Sequence, residues 1–146
     1  VCRELALKII LDGEGTNRVI QLNLHGINDR VLARKIAKSI IHSLLVKNAI
    51  FGCDPNWDRI ISALGQASAE QQLKLDIKQV SLDILGQRVY EAGVPTGFNK
   101  PELVKLMQRH KFIELELRVA PGEASSMVWG SDLSYDYIRI NAEYTT

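Results

Sequence analysis

The sequence predicts an α+β fold, a mixed sheet with helices packed on one face. Two observations lead there: strands and helices are interleaved along the chain, and some neighbouring strands are close enough to pair as hairpins. A third, the length of 146 residues, fits one domain, since domains span roughly 100 to 200 residues. We take residues 1–146 as that single domain.

Residues 1–11 place Leu5, Ile9 and Ile10, with Cys2 and Ala6, on one helical face, and the segment stops at Asp12-Gly13-Glu14-Gly15. Residues 19–24 alternate, with Ile20, Leu22 and Leu24 on one side and Val19, Gln21 and Asn23 on the other, as a half-buried strand does. Asn28 is the expected N-cap of the strongest helix, with Asp29 in its first turn. Its stripe runs through Leu32, Ala33, Ile36, Ala37, Ile40 and Ile41 to Leu44 and Leu45. Arg30, Arg34, Lys35 and Lys38 occupy the opposite arc, which reads as a solvated face. Gly52 breaks the pattern, and Asp54 to Trp57 turn into a short helix through Ile60, Ile61 and Leu64 that is expected to end near Gly65.

Residues 68–72 are polar and read as a surface connection. A strand pair follows over 77–85 and 88–90, joined at Gly86-Gln87, and Pro95-Thr96-Gly97 marks a loop. Pro101 stands at a helix start, with Leu103, Val104, Leu106 and Met107 on the apolar face. Residues 112–119 give the cleanest strand alternation, Ile113, Leu115, Leu117 and Val119 against Glu114, Glu116 and Arg118, with one face wet. The closing stretch 127–144 carries Trp129, Tyr135, Tyr137, Ile138 and Ile140 and reads as strand, interrupted at Gly130 and Asp132.

Composition narrows the function classes. With 46% hydrophobic and 24% charged residues the chain has the make-up of a soluble globular protein. Eighteen Lys plus Arg against 17 Asp plus Glu leave a formal charge of +1, so no global field favours nucleic acid or an anionic membrane. Cys2 and Cys53 lack disulfide or zinc-ligand spacing and read as reduced thiols, which predicts a cytoplasmic compartment. No run approaches the ~20 apolar residues of a membrane span. The abrupt start at Val1, without a Met, reads as the product of cleavage or truncation.

Read without any family, the residues give little chemistry. His25, His42 and His110 lie in different elements, none beside a ligand-spaced partner. Asp12-Gly13-Glu14-Gly15 is either a plain helix C-cap or a tight turn that holds a carboxylate at the mouth of an element. Pro121 to Ser126 has one glycine and no P-loop lysine, so it reads as a surface loop. Asp132, Asp136 and the tyrosines Tyr135, Tyr137 and Tyr144 line either a polar pocket or simply one strand.

Three stretches taken together change this reading. Asp12-Gly13-Glu14-Gly15 after a helix, then residues 45–57 with Phe51-Gly52-Cys53-Asp54-Pro55-Asn56-Trp57, then residues 129–146 with Trp129-Gly130-Ser131-Asp132 and Asn141-Ala142-Glu143-Tyr144-Thr145-Thr146, resemble the ornithine acetyltransferase family of arginine biosynthesis in content, order and separation. The resemblance covers the whole chain and corresponds to the C-terminal part of the family's β-chain. It implies a mechanism like that of N-terminal nucleophile hydrolases: a precursor cuts itself before a threonine, whose hydroxyl takes acetyl from N-acetylornithine and passes it to glutamate. That threonine and the oxyanion-hole residues are expected upstream of Val1, so the chain by itself is expected to be inactive.

By the same resemblance Glu14, Asn141 and Thr146 hold the amino-acid substrate, through a carboxylate suited to an ammonium and an amide and hydroxyl suited to orienting it. No metal or cofactor is expected, and acetyl-CoA stays open as a second donor. The implied partners are the upstream α-chain and the N-terminal part of the β-chain, assembled as a hetero-oligomer. A noncatalytic binding or assembly domain of the same fold, and an aminopeptidase-like relative, are the competing readings. Asp58, Thr16 and Ser131 depart from the family's usual glycine, alanine and cysteine. Asp58 would be strained if its position needed a positive φ.

Overall fold

A computed structural model describes residues 1–143, the side chain of Arg3 excepted. The first alternating stretch becomes β1 (Val19–His25), flanked by β5 (Phe112–Arg118) in parallel and by β6 (Ser125–Ser131) antiparallel. β2 (Ser81–Ile84) pairs antiparallel with the far side of β5, and β3 (Gln87–Glu91) and β4 (Val94–Pro95) complete the order β4-β3-β2-β5-β1-β6. One parallel pair in an otherwise antiparallel sheet is the mixed sheet that the sequence predicts.

The strand alternation sorts the two faces. Ile20, Leu22 and Leu24 of β1 and Ile113, Leu115 and Leu117 of β5 are buried on one face. Gln21, Asn23 and His25 answer Glu114, Glu116 and Arg118 on the other. Across that polar face His25 Nε2 lies 2.6 Å from Glu116 Oε2, and Asn23 Nδ2 donates to the same carboxylate. Against the apolar face pack α2 (Arg30–His42), α3 (Leu44–Phe51), α4 (Trp57–Glu70) and α5 (Lys100–Arg109), whose Ile36, Ile40, Ile50, Leu64 and Leu103 join the strands in one cluster. Each such buried side chain contributes roughly 1.5–3 kcal/mol. α1 (Cys2–Leu11) and α6 (Tyr135–Glu143) stand outside this cluster, and no described residue of either is buried.

Several boundaries differ from expectation for local reasons. Asp29, not Asn28, caps α2: its carboxylate accepts from Val31 N at 2.9 Å and Leu32 N at 3.1 Å. The long stripe is broken at Ser43, where ψ is 122°, so the apolar face restarts at Val46, Ala49 and Ile50 and leaves Leu44 and Leu45 exposed. α4 runs through Gly65 to Glu70, and Ser68, expected on a surface connection, is buried. Residues Ile77–Gln79 wind into a 3-10 turn capped by Asp76 rather than opening a strand. The hairpin turns at Leu85-Gly86, one residue earlier than expected, with φ of 48° and 78°, the positive pair that a two-residue turn of matching twist requires.

The largest difference is at the end of the chain. Residues 127–144 are not one strand: β6 stops at Ser131 and α6 follows. Ser134 accepts from Tyr137 N at 3.0 Å and Asp136 sits in the first turn, so the start of the helix is capped and charge-complemented. These terms outweigh the strand preference of Tyr135, Tyr137 and the isoleucines.

Candidate functional site

The turn that carries Glu14 is built from the end of α1. Asp12 N and Gly13 N still donate to Lys8 O and Ile10 O, and Thr16 N closes back onto Gly13 O at 3.0 Å. Gly15 then turns at φ +70°, and a Cβ there would stand 2.3 Å from Tyr137 N. Only glycine lets the first turn of α6 rest directly on the backbone at this point.

Two buried side chains tie the same turn to the segment before α6. Ser134 donates its hydroxyl to Gly15 O while accepting from Tyr137 N, so one residue caps the helix and clamps the turn. Asp132 accepts from Asn17 N at 3.0 Å, and its own N–H donates to Arg18 O at 3.0 Å. Arg18 in turn donates from Nη1 to Phe51 O at 3.1 Å, and the Phe51 ring meets Tyr135 edge-on with centroids 5.4 Å apart. Glu14 and α6 are thereby fixed against one another by contacts on both sides of the turn.

Glu14 itself is exposed, without an ion-pair or hydrogen-bond partner among the described residues. Asn141 lies one helical turn beyond Tyr137, exposed, with Nδ2 donating to Tyr137 O at 2.8 Å and Oδ1 left as an acceptor. It is carried by a helix and not by the strand expected over residues 127–144. Thr146 lies outside the described residues. The structure therefore brings the turn of Glu14 and the helix of Asn141 together.

The remaining motif residues have structural roles. Asp54 accepts from Lys100 Nζ and from Asn56 Nδ2, each at 3.1 Å, and Trp57 stacks on Tyr90 with centroids 5.1 Å apart. Asp58 sits in the first turn of α4 and is not among the positive-φ residues, so its place in the motif is unstrained. Burial pushes the Cys53 thiol up, against the pull of Arg18 and with the repulsion of Asp132, which disfavours the thiolate a nucleophile needs. Among the described residues no group of three or more His, Cys, Asp and Glu is placed to hold a metal ion, and no helix is long and apolar enough to cross a membrane.

Sequence reasoning missed Ser134 and Arg18, and left Asp132 open between a polar pocket and a strand position. A serine followed two residues later by an acid, ahead of apolar residues, is a helix-start signal that would have found Ser134. Its second role, on Gly15, has no local trace.

A family profile described as "ArgJ family" matches residues 1–146. The chain is similar to the arginine biosynthesis bifunctional protein ArgJ of Gloeobacter violaceus, 40% identical over 146 residues, all of this chain and 35% of that protein. It is also similar to a glutamate N-acetyltransferase of Methanosarcina mazei, 40% identical, all of this chain and 37% of that protein. The crystal structure of arginine biosynthesis bifunctional protein argJ from Bacillus halodurans superposes with a TM-score of 0.89 at 34% identity, covering 98% of this chain and 65% of that one. The chain thus spans little more than a third of the length of the curated relatives it matches, and across that span the motifs, the mixed sheet and the profile agree: it belongs to the ArgJ family.

Proposed function

We propose that this chain is the substrate-holding part of an acetyltransferase that moves an acetyl group from N-acetylornithine to glutamate. In this reading Glu14 pairs with an ammonium of ornithine, Asn141 offers Oδ1 to the same ligand, and Thr146 supplies a hydroxyl. The nucleophile is a threonine outside this chain. Its hydroxyl attacks the acetyl carbonyl, the C–N bond breaks as the leaving amine takes the proton, and the amine of glutamate then releases the acetyl group from the ester. Acetyl-CoA as a second donor belongs to the same proposal.

The observation that carries the reading is the clamp at Gly15, which sets the turn of Glu14, exposed and without a partner among the described residues, beside the helix of Asn141. The backbone of the turn is ordered by the fold, so a ligand has only the Glu14 side chain left to order on binding. Partner chains are supported by the two helices that the turn joins in space: Leu5 and Ile9 of α1 and Tyr135 and Ile138 of α6 are exposed, apolar side chains that a longer protein would cover.

Co-expression of this chain with the upstream two thirds of a relative such as the Gloeobacter protein tests the proposal. Acetyl transfer from N-acetylornithine to glutamate is expected in the assembled complex and in neither part alone. An assembled complex without turnover would count against it.

A further inference from the structure

The two edges of the sheet are built differently. β4 is two residues long and contains Pro95, the short, proline-bearing form that resists further pairing. β6, at the other edge, runs seven residues with no proline and no charged side chain. Gly26 N donates to Ala124 O and Asp132 N to Arg18 O, so in the alternating antiparallel ladder Ser126, Val128 and Gly130 turn their peptide groups towards β1. Ser125 and Met127 turn theirs outward, and among the described residues nothing pairs with them.

Beside this open edge a groove of about 640 Å³ runs between Ser125 and Met127 and the outer side of α2, where Arg30, Arg34, Lys35 and Lys38 line it. All four cations are exposed, and none makes a hydrogen bond or ion pair among the described residues. In a chain of formal charge +1, four unpaired cations on one wall form a marked local field. Arg30, Arg34 and Lys38 form one row with a rise of ~6 Å between neighbours. Alternate side chains of an extended strand recur every ~6.6–6.8 Å, nearly the same interval.

We propose that this groove takes an extended peptide segment with acidic side chains at alternate positions, added to the sheet beside β6 while its carboxylates pair with the α2 row. The open peptide groups supply affinity and the row of cations supplies register. A small phosphate would call for cations converging on one point, whereas this row spreads over ~12 Å. The proposal is independent of the acetyl-transfer reading, since none of these residues belongs to the Glu14 turn.

Fluorescence anisotropy with a labelled peptide of alternating glutamate and valine, titrated against the full 146-residue chain, tests it. Saturable binding is expected, weakened about tenfold by the double substitution Arg34→Ala and Lys38→Ala, which retains good helix formers and so leaves the fold intact. Methylating the peptide's amide nitrogens on the side that faces β6 should abolish binding, and bound peptide should slow hydrogen exchange at Ser125 and Met127. No saturable binding, or equal binding by the methylated peptide, would overturn the proposal. So would displacement by inorganic pyrophosphate with the same dependence on Arg34 and Lys38 and unchanged exchange at the two amides, which would make the groove a site for small anions.

Discussion

Asp54 shows at the level of single residues how a motif position acquires its role. Burial pushes its carboxyl up, but hydrogen bonds from Lys100 and Asn56, with the charges of Lys100 and Arg59, outweigh that and hold it below the ordinary value of 3.8. A carboxyl lowered on folding adds stability above its unfolded pKa and loses it as pH falls through the folded one. Asp54→Asn should therefore be less stable than the parent chain above about pH 4, by at most about 1 kcal/mol for so exposed a pair, with the difference vanishing in more acidic solution. Urea denaturation at pH 7 and pH 3 measures it. The turn from Asp54 to Trp57 and the helix that follows it were legible in the sequence because they are local. The partners of Asp54 and Trp57, Lys100 and Tyr90, were not, because nothing near either residue records what the fold brings against it. The turn that carries Glu14 was legible for the same reason, as a four-residue motif. Ser134 was not, since its bond to Gly15 joins positions 119 apart.

Among the elements, α6 and α4 show where periodicity and propensity part company. Aromatic and β-branched residues made 127–144 look like strand, yet one serine cap and an acidic first turn start a helix there. Ser134→Ala removes both the cap and the hold on Gly15, and is expected to cost roughly 1–2 kcal/mol in chemical denaturation. Gly65 misled in the opposite way. It reads as a stop, but α4 continues through it because Ile60, Ala63, Leu64 and Ala67 go on packing against α2 and the sheet. A Cβ at Gly65 meets nothing within 4 Å, so Gly65→Ala should stabilise the chain by about 0.5–1 kcal/mol, read as a rise in denaturation midpoint. Strands β1 and β5 were the most legible elements, since strict alternation with one buried face leaves a single register.

For the whole molecule, the sheet and its four core helices form a platform, and α1, the Glu14 turn and α6 form a second layer of detail at one end of it, with apolar side chains left open. The mixed α+β architecture was readable from the order of elements, and the family from three stretches at their proper separation. The mutual placement of Glu14 and Asn141 was not readable, because it depends on a glycine at one end of the chain meeting a helix at the other. That placement is the centre of the account. The most direct test is calorimetric titration of ornithine into the complete, longer protein and into its Glu14→Gln variant. Loss of one charge-assisted pair should weaken binding by roughly ten- to a hundredfold while the melting temperature stays the same, since Glu14 has no partner among the described residues. Equal affinity of the two proteins for ornithine would contradict the assignment of Glu14 as the substrate's counter-charge.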